Sequence, residues 1–84
     1  MAEVEIGLIV DFFARPVVAA LELTGELKVG DKIHIKGHTT DLEVIVDSMQ
    51  IHNQSVPVAK AGDSVGIKVS DKVRHGDKVF RIVE

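Results

Sequence analysis

Apolar and polar residues alternate with a period of two along most of this chain, the spacing of strands with one face turned to a core. Val4, Ile6, Leu8 and Val10 alternate with Glu5, Gly7 and Ile9, which predicts a first strand. A second is predicted where Val17, Ala19, Leu21 and Leu23 alternate and Glu22 points the other way. Ile33 and Ile35 are flanked by Lys32, His34 and Lys36, and Leu42, Val44 and Val46 alternate with Glu43, Ile45 and Asp47. Val65, Ile67 and Val69 alternate with Gly66 and Lys68, and a last apolar stretch runs from Val79 to Val83. Turn residues separate these runs at Ala14-Arg15-Pro16, Thr24-Gly25, Gly37-His38-Thr39-Thr40 and Asn53-Gln54-Ser55. No segment carries a sustained helical stripe, and the β-branched content agrees with strands.

A chain of 84 residues has room for one core, so residues 1–84 are expected to form a single β-barrel domain. Six or seven short strands need a shape with few open edges. The expected fold is therefore all-β, a small closed or nearly closed antiparallel barrel, with a two-sheet sandwich as the alternative. Three runs share one pattern just before a strand: "KVGDKI" from Lys28, "KAGDSV" from Lys60 and "RHGDKV" from Arg74. Their spacings are unequal and no helix follows, which argues against a repeat or a phosphate cradle. They are read as strand-entry turns, with Gly supplying positive φ and the Asp carboxylate accepting backbone N–H groups.

Composition narrows the function. There is no cysteine, which excludes disulfides, thiolate metal sites and thiol catalysis. No apolar run approaches the roughly 20 residues that cross a bilayer, and "MAEVEI" is acidic where a signal peptide is basic. A cytoplasmic, non-membrane protein is expected. Residues 1–67 hold five basic and ten acidic side chains, a balance of −5. Residues 68–81 hold Lys68, Lys72, Arg74, Lys78 and Arg81 against Asp71 and Asp77, a balance of +3, and Glu84 completes the total of −3. This basic end is a candidate surface for RNA or an acidic partner, although the two aspartates also fit an ordinary solvated rim. His34, His38, His52 and His75 lack H-x-H or H-E-x-x-H spacing, so surface or turn histidines are expected and no metal site or cofactor. Phe12 and Phe13, after the first strand, are read as one ring in the core and one over a barrel end. No acid/base pair or nucleophile elbow appears, so no catalytic residue is assigned and a non-enzyme is expected.

The strings "LKVGDKIHIKG", "VDSMQIHNQSVPVAKAGDSVGIKV" and "VRHGDKV" resemble the second, β-barrel domain of translational GTPases such as elongation factor Tu and elongation factor 1-alpha. The resemblance runs from Leu23 onward and rests on an L-x-x-G-D-x-[VI] turn, a strand like Val46–Asn53, and an A-x-x-G-D-x-V-G stretch at Ala59–Gly66. It implies a barrel of that type, free-standing because no P-loop or N-K-x-D motif is present to bind GTP. It further implies contact with tRNA, the ribosome or a translation or RNA-modification protein, through Lys68, Lys72, Arg74, Lys78 and Arg81. Ser64 would add to that surface, standing where the family has a tRNA-facing asparagine, and so would His52. Similar barrels also occur as accessory modules at the end of some U32-family peptidase-like proteins. That implies the alternative, a protein-interaction module without RNA contact, docking through Phe12, Phe13 and Pro16.

Overall fold

The computed structural model describes residues 2–14 and 17–83, and Pro16 of the expected docking surface lies outside them. The chain is all-β: β1 (Ala2–Ala14), β2 (Val17–Leu23), β3 (Leu27–Lys28), β4 (Lys32–Lys36), β5 (Asp41–Ile45), β6 (Met49–Ile51), β7 (Gln54–Val56), β8 (Val58–Ala59), β9 (Ser64–Lys68) and β10 (Lys78–Val83). Eight strands form one antiparallel sheet in the order β5-β4-β10-β1-β2-β9-β6-β7, and β3 pairs with β8 in a separate ribbon. Among the described residues the sheet ends, β5 and β7, do not pair with each other. Backbone bonds link them through the ribbon: Val46 beyond β5 pairs with Gly30 and Asp31 beyond β3, and Val29 donates to the Pro57 carbonyl at 3.0 Å.

Most alternations hold. In β2, β4 and β9 the residues Ala19, Leu21 and Leu23, Ile33 and Ile35, and Val65 and Ile67 are buried, while their neighbours face outward or lie at partial depth. The exception is β1. Its register slips against β10 between Glu5 and Gly7 and against β2 between Ile9 and Asp11, the signature of two bulges. Each extra residue turns the following side chains to the opposite face. Ile6 and Ile9, three apart, are therefore both buried, at 2% and 0% exposure, whereas Leu8 is 38% exposed. The simple period of two expected for this strand is thus broken.

Two further features depart from expectation. β1 continues through both phenylalanines, expected to follow it, to Ala14; one ring lies against the core as expected, that of Phe12, and Phe13 is exposed. Of Asn53-Gln54-Ser55, expected as a turn, Asn53 lies in one but Gln54 and Ser55 open β7, because the reversal falls one residue earlier. His52 and Asn53 have φ of 51° and 64°, and they join β6 to β7 as a two-residue hairpin turn.

The three G-D runs form one structure repeated three times. Gly30, Gly62 and Gly76 have φ of 97°, 93° and 93°. The Asp31, Asp63 and Asp77 carboxylates accept from the Lys28, Lys60 and Arg74 N–H groups at 3.0, 2.9 and 2.8 Å. Each turn then clasps one core residue of another strand or its extension. Gly30 N–H donates to the Val46 carbonyl and Val46 N–H to the Asp31 carbonyl, at 2.7 and 2.9 Å. Gly62 and Asp63 hold Leu23 in the same way, at 2.8 and 2.9 Å, and Gly76 and Asp77 hold Ile9 at 2.7 Å twice.

Candidate functional site

A groove of about 460 Å³ crosses the outer face over β2, β9 and β6. The register explains its shape. Ala20 pairs with Gly66 and Gly66 with Gln50, so the row across three strands carries very small residues on two of them. Phe13, paired with Val18, forms an apolar wall and is 52% exposed. Opposite stand the His52–Asn53 turn and Ser64. The structure thus brings together Phe13, expected to dock protein, with His52 and Ser64, expected to contact RNA. The lining offers one aromatic face, neutral hydroxyl and amide groups and a single imidazole, which suits an apolar side chain with hydrogen-bonding backbone around it better than a phosphate. Gln50 and Ala20 were missed because only strand pairing makes them neighbours.

The basic residues do not gather on one surface. Lys68 ends β9 opposite Val18 and borders a second opening with Lys32, Glu43 and Asp47. Lys72 and Arg74 are exposed on the segment between β9 and β10. Lys78 faces Lys36 across the ladder. Arg81, three residues further along the strand, points to the opposite side, where its guanidinium donates to the Glu26 carbonyl at 3.5 Å.

A polar cluster absent from the sequence reading lies on the outer face of β1, β10, β4 and β5. Glu3 reaches across β10 to His34 Nδ1 at 2.6 Å and Lys36 Nζ at 2.8 Å, and the Asp41 carboxylate meets His34 Nε2. Lys36 Nζ also lies 5.5 Å from the Phe80 ring centre. Two carboxylates accept only, so this arrangement calls for a proton on both ring nitrogens. Hydrogen bonds donated by the ring to Asp41 and then to Glu3 accordingly raise the His34 pKa above 6.5. Lys36, followed by His34, lowers that of Glu3 below 4.5. The carboxylates cap opposite edges of the ring instead of converging, and among the described residues no group of three or more His, Asp or Glu is placed to hold a metal ion. No helix among the described residues is long and apolar enough to cross a membrane.

No protein-family model matches the chain. It is 45% identical over 83 residues to an uncharacterized protease of Methanocaldococcus jannaschii, matching 98% of this chain and 20% of that protein. It is 36% identical over 81 residues to a collagenase of Porphyromonas gingivalis, matching 94% of this chain and again 20% of the relative. The chain therefore spans about one fifth of the length of the curated relatives it matches. Its fold superposes on the C-terminal domain of a U32 peptidase from Geobacillus thermoleovorans with a TM-score of 0.88 and 12% identity, over 94% of this chain and 92% of that one. The selenomethionine variant of the same domain gives 0.85 and 13%, over 89% and 95%. These findings overturn the resemblance to the translational GTPase barrel and the elongation-factor-like reading, and they give no support to the RNA binding drawn from it. The shared G-D-x-[VI] strings encode a turn that this fold builds three times, so they report backbone geometry. What the chain is similar to is a one-fifth segment of protease-type proteins and, in fold, the C-terminal domain of a U32 peptidase.

Proposed function

We propose that the chain acts as a non-catalytic accessory module of the kind that ends U32-type peptidases, docking onto the remainder of such a protein through the Phe13 groove. The observation that carries this reading is the 45% identity across 98% of the chain to only 20% of a protease, which leaves four fifths of the relative to do the chemistry. The groove supports it by offering an exposed aromatic wall over a floor of Ala20 and Gly66, with no acid/base pair among its lining residues. We also read the sheet and its ribbon as a nearly closed antiparallel barrel, since the Val46 clasp and the Val29 bond to Pro57 bridge the two sheet ends.

The test uses the Methanocaldococcus jannaschii protease with its matching segment deleted, mixed with this chain. Calorimetry is expected to give saturable binding that Phe13→Ser weakens by about tenfold, the equivalent of ~1.4 kcal/mol, while Lys72→Ala leaves it unchanged. Hydrolysis of peptide substrates by this chain alone, or binding indifferent to Phe13→Ser, would overturn the proposal.

A further inference from the structure

The second opening lies between β5 and the end of β9, on a surface separate from the Phe13 groove. Lys32, Glu43, Val44, Ile45, Asp47 and Lys68 line a space of about 590 Å³ that also reaches Val69 and Ser70. Among the described residues no strand pairs with the backbone of either wall on the side of the opening. β5 has a strand neighbour, β4, on one side only. Gly37 N–H donates to the Thr40 carbonyl and Val46 N–H to that of Asp31, so the bonded pairs of this ladder are the alternate ones that include Leu42 and Val44. Glu43 and Ile45 therefore turn their N–H and C=O groups to the opening, and Asp41 turns its own to the same free edge of β5 beyond it. On the far wall, β6 pairs with β9 only at Gly66 and Ile67. Val69 gives its N–H to Val17 on the β2 side, which leaves Lys68 and Ser70 facing the opening.

An edge of this kind recruits another strand unless something blocks it. Charge decides which strand. Side by side on the outer face stand Asp41, which bonds His34 through one oxygen while its side chain stays 83% exposed, Glu43, and Ile45, which is 59% exposed; Lys68 stands on the far wall. Lys32 lies 3.8 Å from Glu43, a loose pair with both side chains about half exposed, so Glu43 retains acceptor capacity. A second copy of this chain is a poor occupant. Antiparallel pairing of two β5 edges sets Glu43 against Glu43, Asp41 against Glu43, or Asp41 against Asp47, and like charges directly opposite are destabilising.

We propose that this opening takes an extended peptide segment as an added strand, with Lys or Arg at two alternate positions opposite Asp41 and Glu43 and an apolar residue opposite Ile45. Small apolar side chains at the intervening positions face Val44 and Val69. The test titrates the ¹⁵N-labelled chain with acetyl-Leu-Val-Lys-Val-Lys-amide, whose central lysine falls opposite Glu43 in the antiparallel register. Saturable shifts are expected at the amides of Asp41, Glu43, Ile45, Lys68 and Ser70. N-methylation of the central lysine, or glutamate at both lysine positions, is expected to weaken binding by at least about tenfold. Glu43→Pro removes the outward N–H while sparing the β4 ladder and is expected to do the same; the modified peptides carry the test should that variant not fold. No shift at millimolar peptide, shifts confined to the Phe13 groove, or binding that survives N-methylation or charge reversal would each overturn the proposal.

Discussion

Gly37→Ala is the substitution whose cost the structure sets most directly. A Cβ at Gly37 would overlap Oδ1 of Asp77 and stand 2.5 Å from its Cγ and 3.1 Å from Oδ2. Asp77 is 5% exposed and cannot swing aside freely. Its carboxylate holds the Arg74 N–H at 2.8 Å, and its carbonyl holds Ile9 at 2.7 Å. Relieving the overlap must displace that carboxylate, and the third clasp loosens with it. Overpacking costs about 1–3 kcal/mol and a hydrogen bond to a charged group is worth about 1.5–3, so a net loss of about 2–4 kcal/mol is expected after partial relaxation. A domain of this size has ~4–12 kcal/mol in total, so the loss is a large share. Urea unfolding followed by circular dichroism reads it directly, and melting should fall by roughly 4–8 °C per kcal/mol. The decisive measurement is the cycle with Asp77→Ala. Truncating Asp77 removes the atoms in the way, so Gly37→Ala should cost little in that background, with a coupling of about 1.5 kcal/mol or more. A Gly37→Ala protein within about 0.5 kcal/mol of the wild type, or two costs that simply add, refutes the reasoning.

Two other outcomes follow from the same structure. Ile9→Ala is expected to cost about 2–5 kcal/mol and Leu8→Ala less than about 1, because the bulges bury the former and expose the latter; the larger cost falling at Leu8 in chemical denaturation would mean β1 keeps an unbroken alternation. The His34 cluster makes stability depend on pH in a defined sense. His34 titrates above 6.5 in the folded chain, so its contribution is complete below pH 6.5 and is lost as pH rises through the higher folded value. Glu3 titrates below 4.5, so its contribution is complete above pH 4.5 and is lost as pH falls through the lower one. Stability from this cluster is thus greatest between those limits, and His34→Gln should flatten the decline on the alkaline side; an NMR midpoint for His34 at or below 6.5 would contradict the geometry.

Where each residue's neighbours are close in sequence, the chain was legible. The G-D turns are local devices, and the roles of Gly30, Gly62 and Gly76 and of the three aspartates followed from residue type alone. The inward residues of β2, β4 and β9 followed from period two. Illegible were the features that depend on register between distant strands. Nothing near Glu3 signals that His34, 31 residues away, will be its partner. The bulges in β1 are set by what β10 and β2 require of it, so Leu8 and Ile9 exchanged the faces that alternation gave them. The candidate groove has the same origin. Phe13, His52 and Ser64 could be singled out one at a time, but only the pairing of β2, β9 and β6 assembles them over Ala20 and Gly66.

The repeated clasp accounts for both the strength of the sequence resemblance and its failure as a guide to function. Each G-D turn joins itself by two backbone bonds to a buried residue, Val46, Leu23 or Ile9, from another part of the chain. The turn thereby satisfies backbone groups of a core position that would otherwise be left unpaired, and a change of residue type there carries a cost in stability. A sheet braced in this way must keep Gly and Asp at those positions whatever it binds. The outer-face residues beside them are under no such constraint: Ser64 and Gly66 border the groove from the strand that the second turn starts. Function in such a fold is therefore to be sought in the outward residues between the clasps, the Phe13 groove and the β5 edge, and not in the strings that make the fold recognisable.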